Sequence, residues 1–318
     1  MAIVGPGGLG GTIAALLAQG HGCEVTVVGR PGAHIEAIQQ NGLRLEGQQE
    51  LTAQIDAVDS AQKVRECDVL IFAVKAQHTQ AALKATEHIQ VRDTVVSLQN
   101  GVAKDELLAT AFGKEKVVGG VSVIGGERPA PGVVNWTYDG GTQFGELDGA
   151  PSQRVDYITE LFQQAGFVAE ASSAILSSTW TKMVGWIPLG LIACLARKNN
   201  AGVLSNSSLA AEYVVMVREL SALAADKGIP MTDFGPYQVK SWCQGTVEEA
   251  VGRVTVSPIA SSRSTHSAFQ DLQHGNRTEF NACVGSVIQD AGQAASPITA
   301  TRVMYSSLMA LEESLART

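Results

Sequence analysis

The sequence lacks the patterns that mark metalloproteins, disulfide-rich proteins and nucleic-acid-binding proteins. It has five cysteines, no two of them at C-x-x-C spacing, and no histidine at metal-ligand spacing. We therefore expect buried thiols in a reducing compartment and no metal site. Lysine and arginine form no cluster and the net charge is −8, so a nucleic-acid partner is not expected.

Long hydrophobic runs are also lacking. The longest one, Met183 to Ala196, has 14 residues and contains Pro188, which is too short to span a bilayer. A strand is predicted from residue 2, which leaves no room for a signal peptide. We therefore expect a cytoplasmic protein without a membrane partner. A length of 318 residues suggests about two domains.

A glycine-rich turn near the start is the strongest functional signal. A short apolar strand leads into Gly5-Pro6-Gly7-Gly8-Leu9-Gly10, and an apolar helix is predicted from Thr12 to about Gln19. The spacing is G-x-G-x-x-G, in which the glycines allow a tight turn, approach of a pyrophosphate and close packing of the helix. A second predicted strand, Glu24 to Gly29, favours a dinucleotide site over a merely structural glycine turn.

The residue that follows the second predicted strand indicates which cofactor binds. An acidic residue there would hold the ribose 2′-hydroxyl of NAD, but this position is Arg30. A guanidinium suits a 2′-phosphate by charge and by its fork geometry. We therefore predict NADP (NADPH) rather than NAD, the alternative being that Arg30 is a solvated surface residue.

Apolar strands alternate with helices through the first half of the chain. Val69–Val74 and Thr94–Leu98 are predicted strands, and this alternation predicts an α/β, doubly wound sheet. Ligands bind beyond the C-terminal ends of such strands, where Lys75 and Asn100 stand. Lys75 would be a further cation for the cofactor, and Asn100 would hydrogen-bond a ribose or a substrate. The alternatives are a solvated lysine and an asparagine–glycine turn.

The pattern of predicted secondary structure changes twice along the rest of the chain. A hairpin is predicted within 43–55, and antiparallel strands within 117–145 would extend the sheet at its edge. Beyond Ser173 helical patterns dominate, over Ala174–Leu195, Leu209–Lys227, Tyr237–Val251, Phe280–Ala291 and Ile298–Leu315. We therefore predict a Rossmann-type NADP-binding domain over 1–172 and a mostly helical substrate domain over 173–318.

These motifs resemble those of the ketopantoate reductase (2-dehydropantoate 2-reductase) family along nearly the full length. Besides the glycine turn and Arg30, the matching motifs are Asp68–Ala76, Leu98–Gly101, Trp180–Lys182, Ser267–Asp271 and Thr278–Asn281. The resemblance implies NADPH-dependent reduction of a 2-keto acid to a 2-hydroxy acid, most directly ketopantoate to pantoate in pantothenate biosynthesis. The expected partner is this small molecule, and a homodimer is left open.

The resemblance also implies a catalytic pair. Lys182 matches the family's catalytic lysine, and Glu279 matches a glutamate at the nicotinamide ribose. The chemistry fits, because a lysine ammonium can stabilise the oxyanion that forms at a carbonyl and then donate its proton. The structural alternatives are a capping or solvated lysine near a helix start and a solvated helix carboxylate.

Three polar residues match binding positions of the family. Asn100 matches an asparagine that contacts cofactor and substrate, and Ser267 matches a substrate-binding serine. Asn200 matches a substrate asparagine, unless the alignment shifts by one to Asn199. Neutral polar groups of this kind suit a carboxylate or a hydroxyl.

The sequence departs from the family at two positions. Family members that act on ketopantoate carry asparagines one and two turns after the lysine, where this chain has Trp186 and Gly190. Trp186 would either form an apolar wall for a bulkier 2-keto acid or be a core residue at helical spacing. A reductase for such an acid, a non-catalytic NADPH sensor and a β-hydroxy acid dehydrogenase-like enzyme therefore remain alternatives, although the two late motifs favour the ketopantoate reductase type.

Overall fold

The computed structural model describes residues 1–19, 23–261, 264–292 and 295–315. Within it the chain forms two compact units, Met1–Ile175 and Leu176–Thr318. The first unit contains a ten-stranded sheet. Its strands are β1 (Ala2–Val4), β2 (Thr26–Val28), β3 (Leu43–Gly47), β4 (Leu51–Ala53), β5 (Asp56–Val58), β6 (Glu66–Phe72), β7 (Gln90–Ser97), β8 (Val117–Ala130), β9 (Val133–Gly145) and β10 (Ala169–Ala171).

Strand direction confirms the doubly wound prediction. The order is β4-β3-β9-β8-β7-β6-β1-β2-β5, and every pairing from β8 to β5 is parallel. The antiparallel hairpin β8–β9 extends the sheet, and the hairpin β3–β4 continues it. β10 adds to β9 in parallel. The carboxyl ends of β1, β2, β6 and β7 therefore lie along one edge, where ligands bind in such sheets.

Among the described residues of this unit, five α-helices accompany the strands. They are α1 (Gly8–Leu17), α2 (Ala33–Asn41), α3 (Thr79–Thr86), α4 (Lys104–Phe112) and α5 (Gln153–Gln164). The sheet curves into a half-barrel, so that α1 packs against β8, β9 and β3 as well as against β1. As a result α1 is buried continuously from Gly10 to Leu17, which explains its lack of a polar face.

Several predicted boundaries in this unit were wrong. α1 begins at Gly8 rather than Thr12, because Gly7 is its N-cap and the glycine motif itself forms the first turn. The region 117–145 forms two long strands rather than the three short ones predicted over Val117–Ile124, Val133–Tyr138 and Thr142–Gly145. β9 carries one extra residue between Asp139 and Thr142 and another between Trp136 and Tyr138, and it continues through these bulges instead of ending. β5 was not predicted.

Among the described residues of the second unit, the regular elements are helices, and the one β-bridge joins Phe234 and Tyr237. Its helices are α6 (Ile175–Ala196), α7 (Asn200–Leu204), α8 (Ser207–Asp226), α9 (Val239–Trp242), α10 (Val247–Thr255), α11 (Pro258–Ser261), α12 (Ser267–Gln273), α13 (Phe280–Ala291) and α14 (Thr299–Leu315). Within the described ranges, α6 is long and apolar enough to cross a membrane by length and composition alone. However, 89% of its most apolar 18-residue stretch is buried inside the protein, as in the core helix of a folded domain.

The single helix predicted over Tyr237–Val251 is two helices. α9 ends at Trp242, and Gly245 follows with a φ of +68°, a conformation that breaks a helix. Thr246 then starts α10 with a capping box, in which its hydroxyl accepts from the Glu249 N–H and the Glu249 carboxylate accepts from the Thr246 N–H. The T-x-x-E spacing is the signal that marks this second start.

Candidate active site

The glycine turn between β1 and α1 leaves its backbone accessible. Gly5 has a φ of +96°, which favours glycine, and a Cβ there would lie 2.8 Å from the Val74 nitrogen. A Cβ on Gly10 would lie 2.2 Å from the Gly5 carbonyl oxygen, so α1 packs directly on the turn. A Cβ on Gly7, in contrast, would meet nothing within 4 Å. The turn therefore fits a dinucleotide, because a phosphate can approach Gly7 and the first amides of α1.

A strand from the other side of the half-barrel also contacts this turn. A Cβ on Gly8 would lie 2.1 Å from the Gly126 carbonyl oxygen, and a Cβ on Gly126 would lie 2.4 Å from that of Gly8. Two glycines are thus needed for β8 to support the turn. Gly126 was not predicted to contact the turn, and its signal in the sequence is the glycine pair 125–126.

His34 joins the glycine turn to the β8–β9 hairpin. Its Nε2 lies 2.6 Å from the Pro6 carbonyl oxygen, and its Nδ1 accepts from the Gly132 N–H at 2.9 Å. The ring is therefore neutral with its proton on Nε2. Partial burial and the charge of Arg128 lower the pKa of His34, while the bond to Pro6 opposes this. Nothing in the sequence signals this role, whereas the predicted Arg30 lies just upstream and is exposed.

The ends of β6 and β7 carry Lys75 and Asn100, and a buried glutamine connects them. Gln99 donates from Nε2 to the Val74 carbonyl oxygen at 2.9 Å and to the Thr79 hydroxyl at 2.8 Å. Its Oε1 accepts from the Ser97 hydroxyl at 3.0 Å. The two predicted residues are thus held at neighbouring strand ends, Lys75 exposed and Asn100 half-buried. Gln99 lies in the matching motif Leu98–Gly101, but its role in connecting the two strand ends was not predicted.

The two candidate catalytic residues lie in the second unit and are buried. Lys182 is 7% exposed and stands two turns inside α6, so it is neither a capping nor a solvated lysine. Glu279 is 3% exposed and immediately precedes α13, so it is not a solvated helix carboxylate. Lysine and glutamate are rarely buried to this degree without a partner or a function.

Three aromatic rings that pack against one another gather the segments that carry the candidate residues. In this aromatic stack, made of Trp186, His266 and Phe280, the Trp186 ring centroid lies 4.6 Å from that of His266 and 5.0 Å from that of Phe280. Trp186 is one helical turn after the candidate lysine, His266 directly precedes Ser267, and Phe280 directly follows the candidate glutamate. The stack therefore brings three predicted site residues into one region of the second unit.

The stack also explains the two departures from the family pattern. Trp186 is 6% exposed, which fits the core interpretation of this residue. A Cβ on Gly190 would lie 2.3 Å from the His266 Cε1 and 2.7 Å from the Phe280 Cζ. Gly190 thus makes room for the two rings, and an asparagine would not fit beside them.

Asn200 approaches the same region from α7. Its Nδ2 donates to the Ser264 hydroxyl at 3.1 Å, and its backbone N–H donates to the Ser264 carbonyl at 3.2 Å. Its Oδ1 is buried and has no hydrogen-bond partner among the residues that the structure describes. The neighbouring Asn199 instead uses its Oδ1 to cap α7 through the Gly202 N–H. Of the two asparagines, Asn200 is therefore the one with an acceptor available to a ligand.

A doubly wound sheet with a dinucleotide turn, followed by a helical unit with a buried lysine and glutamate, defines a class of two-domain nicotinamide-dependent oxidoreductases. Residues 1–149 match the family model described as ketopantoate reductase PanE/ApbA, and residues 174–312 match its C-terminal counterpart. The chain belongs to the ketopantoate reductase family.

Individual relatives match this chain over most of its length. The 2-dehydropantoate 2-reductase of Pyrococcus horikoshii is 30% identical over 91% of this chain and 89% of its own. The crystal structure of a PanE/ApbA family ketopantoate reductase from Ralstonia eutropha JMP134 is 24% identical, with a TM-score of 0.83 over 99% of this chain and 100% of its own. A D-mandelate dehydrogenase solved with NADH and anilino(oxo)acetate shares the fold at 18% identity, with a TM-score of 0.84 over 99% of both chains.

Proposed function

We propose that this protein uses NADPH to reduce a 2-keto acid to a 2-hydroxy acid, with ketopantoate as the first candidate substrate. The observation that supports the proposal most is the aromatic stack, which collects the segments bearing Lys182, Ser267 and Glu279. A sensor that only bound the cofactor would have no need of a buried lysine and glutamate beside a polar binding residue.

The roles follow from the chemistry of each side chain. When bound, the reduced nicotinamide supplies the hydride. Lys182 is 7% exposed, and a buried ammonium group needs hydrogen bonds or a carboxylate partner to offset its desolvation. A lysine held in this way stabilises the developing oxyanion and donates the proton that completes the hydroxyl group. Glu279 would hold the nicotinamide ribose and support the charge of the lysine.

Binding of the substrate would fall to neutral polar groups. Ser267 lies at the start of α12 and is partly exposed, so its hydroxyl is available to a carboxylate. The unpartnered Oδ1 of Asn200 would accept a hydrogen bond from a substrate hydroxyl, because a buried acceptor without a partner carries a desolvation cost. Ketopantoate carries such a hydroxyl, which is why it remains the first candidate.

A bulkier or more apolar 2-keto acid is the second candidate. Trp186 and Gly190 remove two amides that a hydroxylated substrate would use, and the D-mandelate dehydrogenase that shares this fold was solved with an aromatic oxo acid. Loss of polar contacts to a substrate changes discrimination by large factors.

A panel of keto acids tests the proposal and separates the two candidates. Purified protein is assayed for NADPH oxidation at 340 nm with ketopantoate, a branched 2-keto acid, phenylpyruvate and benzoylformate. We expect ketopantoate to give the highest kcat/KM. Turnover of an aromatic acid with silence for ketopantoate would select the second candidate, and no turnover of any acid would refute the reductase assignment.

Arg30 should determine the choice between NADPH and NADH. For Arg30→Ala we expect the KM for NADPH to rise about 10–100-fold, since hydrogen bonds to a charged group contribute roughly 1.5–3 kcal/mol. The KM for NADH should stay within about twofold, because NADH lacks the 2′-phosphate. The control is Arg44→Ala, which removes another exposed arginine of the same unit. Equal losses with both cofactors would contradict a 2′-phosphate site at Arg30.

A further inference from the structure

His266 connects several segments of the second unit. Its Nδ1 accepts from the Ala268 N–H at 3.2 Å, so the ring caps α12, the helix that begins at Ser267. Its Nε2 lies 3.2 Å from the carbonyl oxygen of Trp186, one turn after Lys182 on α6. The side chain thus caps one helix and reaches the backbone of another.

The two hydrogen bonds define the state of the ring. A nitrogen that accepts from an N–H carries no proton, and a nitrogen facing a carbonyl donates. The imidazole is therefore neutral with its proton on Nε2, the tautomer that both bonds require. The ring is also buried, lies at an interplanar angle of 46° to the Trp186 ring and is stacked on Phe280 at 20°, and these contacts restrict its orientation.

We propose that His266 is a positioning residue that sets the distance between Ser267 and the helix carrying Lys182. The inference rests on the proposed function, in which Ser267 binds the keto acid and Lys182 protonates it. Two hydrogen bonds from one rigid ring leave Ser267 little freedom to move relative to α6. Gly190 contributes to this positioning, because a Cβ at residue 190 would clash with the His266 ring.

The test compares two replacements of His266. His266→Ala removes both hydrogen bonds, and we expect the KM for the keto acid to rise about tenfold or more, since small misplacements can cost up to about a hundredfold. The Kd for NADPH should not change. His266→Asn keeps an N-cap acceptor for the Ala268 N–H but is too short to reach the Trp186 carbonyl. We expect its KM to lie between those of the wild type and His266→Ala.

A second measurement does not depend on turnover. Amide hydrogen exchange over residues 267–273 should be faster in His266→Ala than in the wild type, with His266→Asn intermediate. The matched control is His274→Ala, which removes an exposed histidine at the other end of α12 and should change neither exchange nor KM.

Each result decides one question. Wild-type KM in His266→Asn would overturn the inference, because the contact with Trp186 would then be dispensable. A fall in kcat alone, with the keto acid KM unchanged, would show a merely structural role and would also overturn it. If the wild type reduces no keto acid, the proposed function fails, while the exchange comparison still decides whether His266 holds this segment.

Discussion

Replacing Lys182 by methionine is expected to lower kcat for the preferred keto acid by about 10²–10⁴-fold, the usual contribution of a general acid. Methionine has a similar length and no charge, so it fits a site where the lysine is 7% exposed. The fold should therefore persist, and the Kd for NADPH, measured by nucleotide fluorescence, should stay within about threefold because the expected loss lies in the transition state.

Lys198→Met is the matched control for this prediction. Lys198 lies just beyond the end of α6 and is exposed, so its loss should leave kcat unchanged. If Lys182→Met kept kcat within threefold of the wild type, the proton would have to come from another group. A large drop in NADPH affinity would instead indicate that the lysine mainly supports the cofactor.

The parts of the fold that depend on local patterns were predictable from the sequence. The parallel strands were recognised as apolar runs because every residue of β6 from Val69 to Phe72 is buried, and α13 was predicted with the bounds that the structure has. The break at Gly245 was missed because the helical pattern of apolar residues continues through it, and only φ and the capping box distinguish the two helices.

The candidate site was only partly predictable for a physical reason. Residues that touch a ligand carry recognisable chemistry in their own side chains, so Lys182 and Ser267 could be proposed from motifs. Residues that hold others in place do so through contacts with segments distant in sequence. His34 reaches Gly132 across 98 positions and His266 reaches Trp186 across 80, and no spacing rule identifies such pairs.

The second large effect is expected from two substitutions in the glycine turn. Gly7→Ala should impair cofactor binding, whereas Gly10→Ala should impair folding. Gly7 has a φ of −79°, which any residue adopts, and its Cβ direction is open. Gly7→Ala should therefore fold normally, yet its methyl group would occupy the approach of the pyrophosphate. We expect the Kd for NADPH to rise about 10–100-fold, as for the loss of one charge-assisted hydrogen bond.

Gly10→Ala should act on folding instead. Its Cβ would lie 2.2 Å from the Gly5 carbonyl oxygen and 2.9 Å from the Ala73 Cβ, so the backbone of α1 or of the turn must shift. Overpacking of this kind typically costs about 1–3 kcal/mol, which should lower the melting temperature by several degrees. Gly252→Ala is the control, because Gly252 is exposed in α10 with nothing within 4 Å of its Cβ position.

Melting curves and NADPH titrations of the three variants separate the two effects. Gly7→Ala should melt with the wild type and bind weakly, whereas Gly10→Ala should melt early. Gly252→Ala should bind normally and be as stable as the wild type or slightly more so, because alanine is the better residue inside a helix. If Gly7→Ala bound NADPH as tightly as the wild type, the open backbone at Gly7 would not be the phosphate site, and the dinucleotide would have to approach the turn elsewhere.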